Sequence, residues 1–184
     1  MNKTAWIVIA VVVVLLLGGI ISYNDLVGMN ENVNGKWSQI ENQLQRRADL
    51  IPNLVNTVKG YAAHEQGAIQ SVADARTKLA GAQGPAAKAQ ANEDMNGALS
   101  RLLVVVENYP DLKADKNFRA LMDELSGTEN RIAVARKDYN DAVQGYNIKI
   151  RSLPTSIFAG MMGFGPKEYF KAEEGAKQVP QVKF

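Results

Sequence analysis

The chain has 184 residues, 21 Lys+Arg against 19 Asp+Glu for a net charge of +2, 46 % hydrophobic and 22 % charged residues, no cysteine and one histidine. That length allows one domain with an appendage, and the composition excludes wholesale disorder and collagen-like or low-complexity classes. Without cysteine there is no disulfide framework, thiolate zinc site, iron–sulfur cluster or thiol nucleophile, and with His64 alone no His-rich metal site, so binding or scaffolding is favoured over catalysis.

The first element in chain order is an apolar run. From Ala5 to Ile21 seventeen residues pass without a charge, and Trp6 and Tyr23 set an aromatic ring at each end. As a helix, Trp6 to Tyr23 spans about 26 Å, close to the roughly 30 Å hydrocarbon core of a bilayer. A transmembrane anchor is predicted over residues 1–23, with lipid against residues 5–22. A buried strand or core helix is disfavoured because the run has no polar face. Lys3 supplies a short positive region of the kind that opens a signal peptide, yet Gly18-Gly19-Ile20-Ile21-Ser22 offers no small-x-small cleavage pattern, so the anchor is read as uncleaved. Lys3 precedes the span while Asp25 and Glu31 follow it before Lys36. The positive-inside tendency therefore places the N-terminus in the cytoplasm and the body of the protein outside it.

Beyond the anchor, hydrophobic residues recur with a period near 3.5. Trp37, Leu44, Ile51, Val58, Val72 and Leu79 fall on one seven-residue series, and Val33, Ile40, Leu54 and Tyr61 on its companion. Pro52 interrupts neither series, which predicts a continued, kinked helix and not a chain reversal. The reversal is placed between Gly60 and Glu65. Gly81 to Pro85 reads as a turn, with Pro85 suited to a first helical position. A shorter helix carries Met95, Leu99, Leu102, Leu103 and Val106 and ends at Tyr109-Pro110, because a residue before proline is pushed out of the helical region. Asp115 then caps a last helix bearing Phe118, Leu125, Ile132, Tyr139 and Tyr146, with Met122, Val143 and Ile150 beside them. The predicted helices are 24–61, 64–81, 85–108 and 115–152. The fold class is all-α: a transmembrane helix, then an antiparallel up-and-down four-helix bundle over 24–153 with long first and last helices.

Four charged residues fall on or beside these seams: Arg47, Glu65, Glu129 and Arg136. Burying an unpaired charge costs several kcal/mol, so they should find opposite partners or reach solvent along their stems. The bland reading is a pair of ion pairs that set register, Arg47 with Glu129 being one pairing to test. The sharper reading is a polar pocket that receives a ligand.

Chemical motifs are poor. His64-Glu65-Gln66-Gly67-Ala68 begins like H-E-x-x-H, but Ala68 replaces the second histidine. A di-iron bundle would need two Glu-x-x-His pairs, and no phosphate loop, nucleophile elbow or EF-hand loop occurs. No cofactor or metal is expected and no catalytic residue stands out, although a carboxylate hydrolase is a distant alternative. Arg46-Arg47 is an isolated basic pair among interspersed acids, so nucleic acid is not an expected partner.

The run from Trp37 through Arg46-Arg47-Ala-Asp49-Leu-Ile-Pro52-Asn53 to His64-Glu65, then Glu107-Asn-Tyr109-Pro110-Asp111-Leu-Lys-Ala, then Thr128-Glu129-Asn130-Arg131-Ile and Tyr139-Asn, resembles the bacterial LemA family. Three separated blocks in the right order carry the resemblance over nearly the whole chain. It implies a membrane-anchored antiparallel four-helix bundle and brings no catalytic residue. One magnetosome-forming branch of the family is associated with membrane shaping, which suggests scaffolding by analogy. The matching positions Gln45, Arg46, Arg47, Asp49, Pro52, Asn53, Tyr109, Pro110, Asp111, Glu129, Asn130 and Arg131 are candidates for structural or partner contact.

The tail, 154–184, departs from the bundle pattern. Pro154 stops the last helix, and Phe158, Met161, Met162, Phe164, Tyr169 and Phe170 set large apolar side chains among glycines. The tail is expected to fold back over the bundle, since large exposed apolar patches are rare, or to dock a partner or the bilayer. The function expected is a non-enzymatic scaffold or adaptor of the bacterial cell envelope, with a membrane-protein partner or a second copy. A lipid-interacting, membrane-shaping module is the alternative.

Overall fold

A computed structural model describes residues 3–171, all of whose regular structure is helical: α1 Lys3–Tyr61, α2 Gln66–Gly81, α3 Gly84–Val106, α4 Pro110–Ala114, α5 Lys116–Arg151 and α6 Thr155–Ala159. No strand occurs among these residues. Residues 172–184 of the predicted tail lie outside the described residues.

The apolar run and the first predicted bundle helix are one element. α1 continues for 59 residues, through Pro52, whose ring faces solvent. By length and composition its apolar part can cross a membrane, and there Trp6, Ile7, Val14 and Ile21 are all exposed. The predicted reversal falls where expected, with Ala62 N–H donating to Val58 O and Glu65 N–H to Ala62 O. Gly84, in the turn before α3, has φ +76°, a left-handed conformation cheap only for glycine.

Two short helices were not among the predicted elements. Tyr109, kept out of the helical region before proline, leads into Pro110 at the start of α4. Pro154 likewise precedes α6. In the sequence both prolines signal stops, yet proline ends one helix as readily as it begins another. Asp115 caps α5 as predicted, its Oδ1 accepting from Phe118 N–H at 2.8 Å.

The chain divides into two compact units. Among the described residues, unit 1 comprises 3–38 and 138–168, and unit 2 comprises 39–137 and 169–171.

In unit 1 the buried set is Ser22, Leu26 and Val33 from α1, Tyr139, Val143, Tyr146, Asn147 and Ile150 from α5, and Thr155 and Ala159 from α6. The Trp37 and Tyr139 rings pack at a tilt with centres 5.4 Å apart, and Lys36–Asp138 (3.1 Å) and Lys149–Asp25 (2.5 Å) link α1 to α5. The returning tail is gripped through its main chain. Asn147 Nδ2 donates to Lys167 O at 2.9 Å while its Oδ1 accepts from Lys167 N–H at 2.8 Å, and Tyr139 Oη donates to Glu168 O at 2.8 Å.

In unit 2 the core draws Ile40, Leu44, Ile51, Leu54 and Val58 from α1, Ile69, Val72 and Leu79 from α2, Met95, Leu99, Leu102 and Val106 from α3, and Phe118, Leu125 and Ile132 from α5. Two seam residues differ from expectation. Tyr61 and Leu103 are exposed: Tyr61 ends α1 and turns its hydroxyl to Asp115, while Leu103 adjoins buried Leu102, and neighbours on a helix point about 100° apart.

Candidate functional site

The most unusual chemistry in unit 2 is a guanidinium in the apolar core. Arg47 is 3 % exposed, placed there because it occupies the seam position between Ile40 and Leu54. Its Nη1 donates to Asn92 Oδ1 at 2.6 Å and pairs with the Glu129 carboxylate, and its Nη2 donates to Asn96 Oδ1 at 2.5 Å. One side chain thereby joins α1, α3 and α5. Burial holds its pKa below the usual arginine value, opposed by the carboxylates of Glu129 and Glu93. Two buried donors, Arg47 Nε and Asn92 Nδ2, have no acceptor among the described residues.

Around this centre the predicted residues fall into small groups. Arg46 and Arg131 converge on Glu124 Oε1, at 2.9 and 2.7 Å. Arg131 also donates to Thr128 Oγ1 at 3.0 Å and to Gln43 Oε1 at 3.2 Å. Arg136 lies 3.8 Å from Glu93 and stacks 5.1 Å from the ring centre of buried Phe170. Among the described residues Glu65 pairs with no cation; its Oε1 accepts from Tyr109 Oη at 3.0 Å, which pushes the tyrosine pKa up. Thus Arg47 and Arg136 each face a carboxylate, of Glu129 and Glu93, whereas Glu65 meets a tyrosine hydroxyl.

The rest stand on the surface. Asp49 accepts from Gln45 at 2.9 Å, and the Asn53 carbonyl accepts from Thr57 Oγ1. Pro52, Pro110, Asp111 and Asn130 are exposed. Among the tail residues, Phe158 and Met162 lie against Gly19, Phe164 meets Tyr23 edge-on at 5.8 Å, Tyr169 is half-buried, Phe170 is buried and Met161 is exposed.

Asn92, Glu93, Asn96 and Glu124 were not anticipated. A signal was present for Asn92, which keeps the three–four spacing of Met95, Leu99, Leu102 and Val106 and so sits on the core face of α3. Asn96 follows it by one turn.

A second polar feature is an open groove between α2 and α3, walled by Asp74, Lys78, Glu93, Asp94 and Arg101 over small Gly97 and Ala98. Lys78 pairs with Asp94 at 3.2 Å; with Gln90 it holds that carboxyl below its usual range. No group of three or more His, Asp or Glu among the described residues is placed to hold a metal ion.

The LemA family model matches residues 36–184. The chain belongs to the LemA family. Its relatives include magnetosome protein MamQ 2 of Paramagnetospirillum magneticum, 33 % identical over 201 residues that cover 95 % of this chain and 72 % of that protein. MamQ of Magnetospirillum gryphiswaldense is 31 % identical over 186 residues, covering 87 % of this chain and 68 % of the relative. Protein LemA of Metamycoplasma hominis is 24 % identical over 155 residues, covering 82 % and 69 %. The family match includes the whole of the Arg47 network. Together with the apolar start of α1, these relatives point to membrane association.

Proposed function

We propose that this LemA-family chain is a non-enzymatic, membrane-tethered scaffold or adaptor of the bacterial cell envelope. Its α1 crosses the membrane with the N-terminus in the cytoplasm, and its helical body is an antiparallel four-helix bundle outside it. The observation that carries the reading is the use made of Arg47. The one deeply buried guanidinium among the described residues is occupied by Asn92, Asn96 and Glu129, as in a device that fixes helix register. A partner membrane protein or a second copy then docks on the solvated helix faces.

Two measurements test this. The absence of cysteine allows single-cysteine variants of the full chain: a membrane-impermeant maleimide applied to intact cells should label S126C and spare K3C, and the opposite pattern reverses the topology. Photocrosslinkers on exposed positions of α5 should capture a defined membrane component or a second copy in native membranes. Turnover of a cell-envelope substrate that is abolished by changing one carboxylate would overturn the scaffold reading.

A second reading, a lipid-interacting membrane-shaping module, is favoured by the exposed apolar side chains Leu153, Ile157 and Met161. Deformation of liposomes by the purified full-length protein would support it.

A further inference from the structure

Between Arg151 and Lys167 the chain runs fifteen residues without a charge. One side of this segment is covered within unit 1. A Cβ built on Gly19 would stand 3.6 Å from the Phe158 ring and 3.8 Å from Met162 Cε, and Phe164 meets Tyr23 edge-on. Other apolar side chains of the segment are bare. Leu153 before α6, Ile157 within it and Met161 after it are 78 %, 59 % and 85 % exposed.

The level at which this happens decides what covers them. Gly19 precedes Tyr23 by four residues, about 6 Å along the helix axis. If Trp6 and Tyr23 mark the two interfaces, Phe158 and Met162 touch α1 inside the hydrocarbon, where water is not the neighbour. The same stretch of α1 exposes Ile20 and Ile21, so at this level other faces of α1 also carry bare apolar side chains.

We infer that residues 153–164 form a shallow wedge in the membrane leaflet at the Tyr23 end of the anchor. Acyl chains cover Leu153, Ile157 and Met161, and Arg151 and Lys167 flank the wedge at headgroup level. Interfacial elements sit about 5–10 Å into the boundary region, which agrees with the depth set by Gly19. Cations at both ends suit an anionic surface. The inference rests on the reading of residues 5–22 as a membrane span and deepens it, because it assigns lipid contact to a segment more than a hundred residues later in the chain.

The test uses full-length protein in phosphatidylcholine/phosphatidylglycerol vesicles, with an environment-sensitive fluorophore on single cysteines and nitroxide-labelled lipid as quencher. V13C reports the anchor, M161C the wedge and S126C an aqueous control. V13C and M161C should both be quenched about threefold more than S126C, with blue-shifted emission, as expected for a side chain among acyl chains. Quenching at V13C but not M161C overturns the wedge and leaves the anchor standing. No quenching at V13C overturns the anchor and the wedge with it.

Packing on α1 is tested separately. G19A adds a methyl at ordinary contact distance and should leave M161C quenching unchanged, whereas G19L, which displaces Phe158, should lower it to the S126C level. Unchanged quenching in G19L overturns the claim that Gly19 sets the depth.

Discussion

The two units bury polar groups in opposite ways. In unit 1, Asn147 and Tyr139 bind main-chain atoms of the returning tail, at Lys167 and Glu168. In unit 2, Arg47 binds the side chains of Asn92, Asn96 and Glu129. A main-chain clamp holds a segment whatever its side chains are, while a side-chain network requires particular residues from three helices at once. The first secures a tail; the second selects one alignment of helices among many that would bury equal apolar area.

The largest expected effect comes from breaking the network at its centre. R47A leaves Glu129, Asn92 and Asn96 facing a cavity, and should lower stability by about 3–5 kcal/mol, read as a fall in thermal midpoint by circular dichroism. Removing buried Arg47 and Asn92 together with half-exposed Glu129, in R47M/N92L/E129L, should return stability to within about 2 kcal/mol of the parent while loosening helix register. A triple variant as unstable as R47A would show that the network contributes stability and not only alignment.

The clamp should break more gently. N147A strands the Lys167 amide and carbonyl at a cost of about 1–3 kcal/mol, and hydrogen exchange at Lys167 should accelerate. K167A/E168A, which changes side chains and spares the main chain, should stay within about 0.5 kcal/mol. Equal losses in both variants would erase the distinction between the two units.

The smallest effect concerns pH. The Phe118 N–H, helped by Tyr61, holds the Asp115 carboxyl below its usual range. That contribution is full at neutral pH and fades as pH falls below about 4. Asp115 pushes the Tyr61 hydroxyl up, so its share is present below about pH 10 and is lost above that. Thermal midpoints measured against pH should decline less steeply in acid for D115N, and Y61F should remove the alkaline decline that this tyrosine causes.

The helical seams were legible because a seven-residue repeat reports directly which face is buried: Val33, Ile40, Leu44, Ile51, Leu54 and Val58 all lie inside. The repeat does not report which residue stands opposite across a helix pair. Glu65 therefore meets Tyr109, and Arg136 meets Phe170 and Glu93, partners that no spacing within one helix reveals. The short helices α4 and α6 escaped because five residues carry too few positions for periodicity to act on, leaving only their prolines to read. The tail's contacts with Gly19, Asn147 and Tyr139 are long-range, and a glycine in an apolar run gives no sign that a ring will rest on it.

Arg47 also binds the history of this chain together. Because its fork is shared among α1, α3 and α5, a change at position 47, 92, 96 or 129 alone strands a charge or a lone pair, and only a matching change elsewhere in the quartet relieves it. Substitutions at these four sites are thus expected to accumulate in concert across descendants, while Lys167 and Glu168, held by their peptide groups, drift independently.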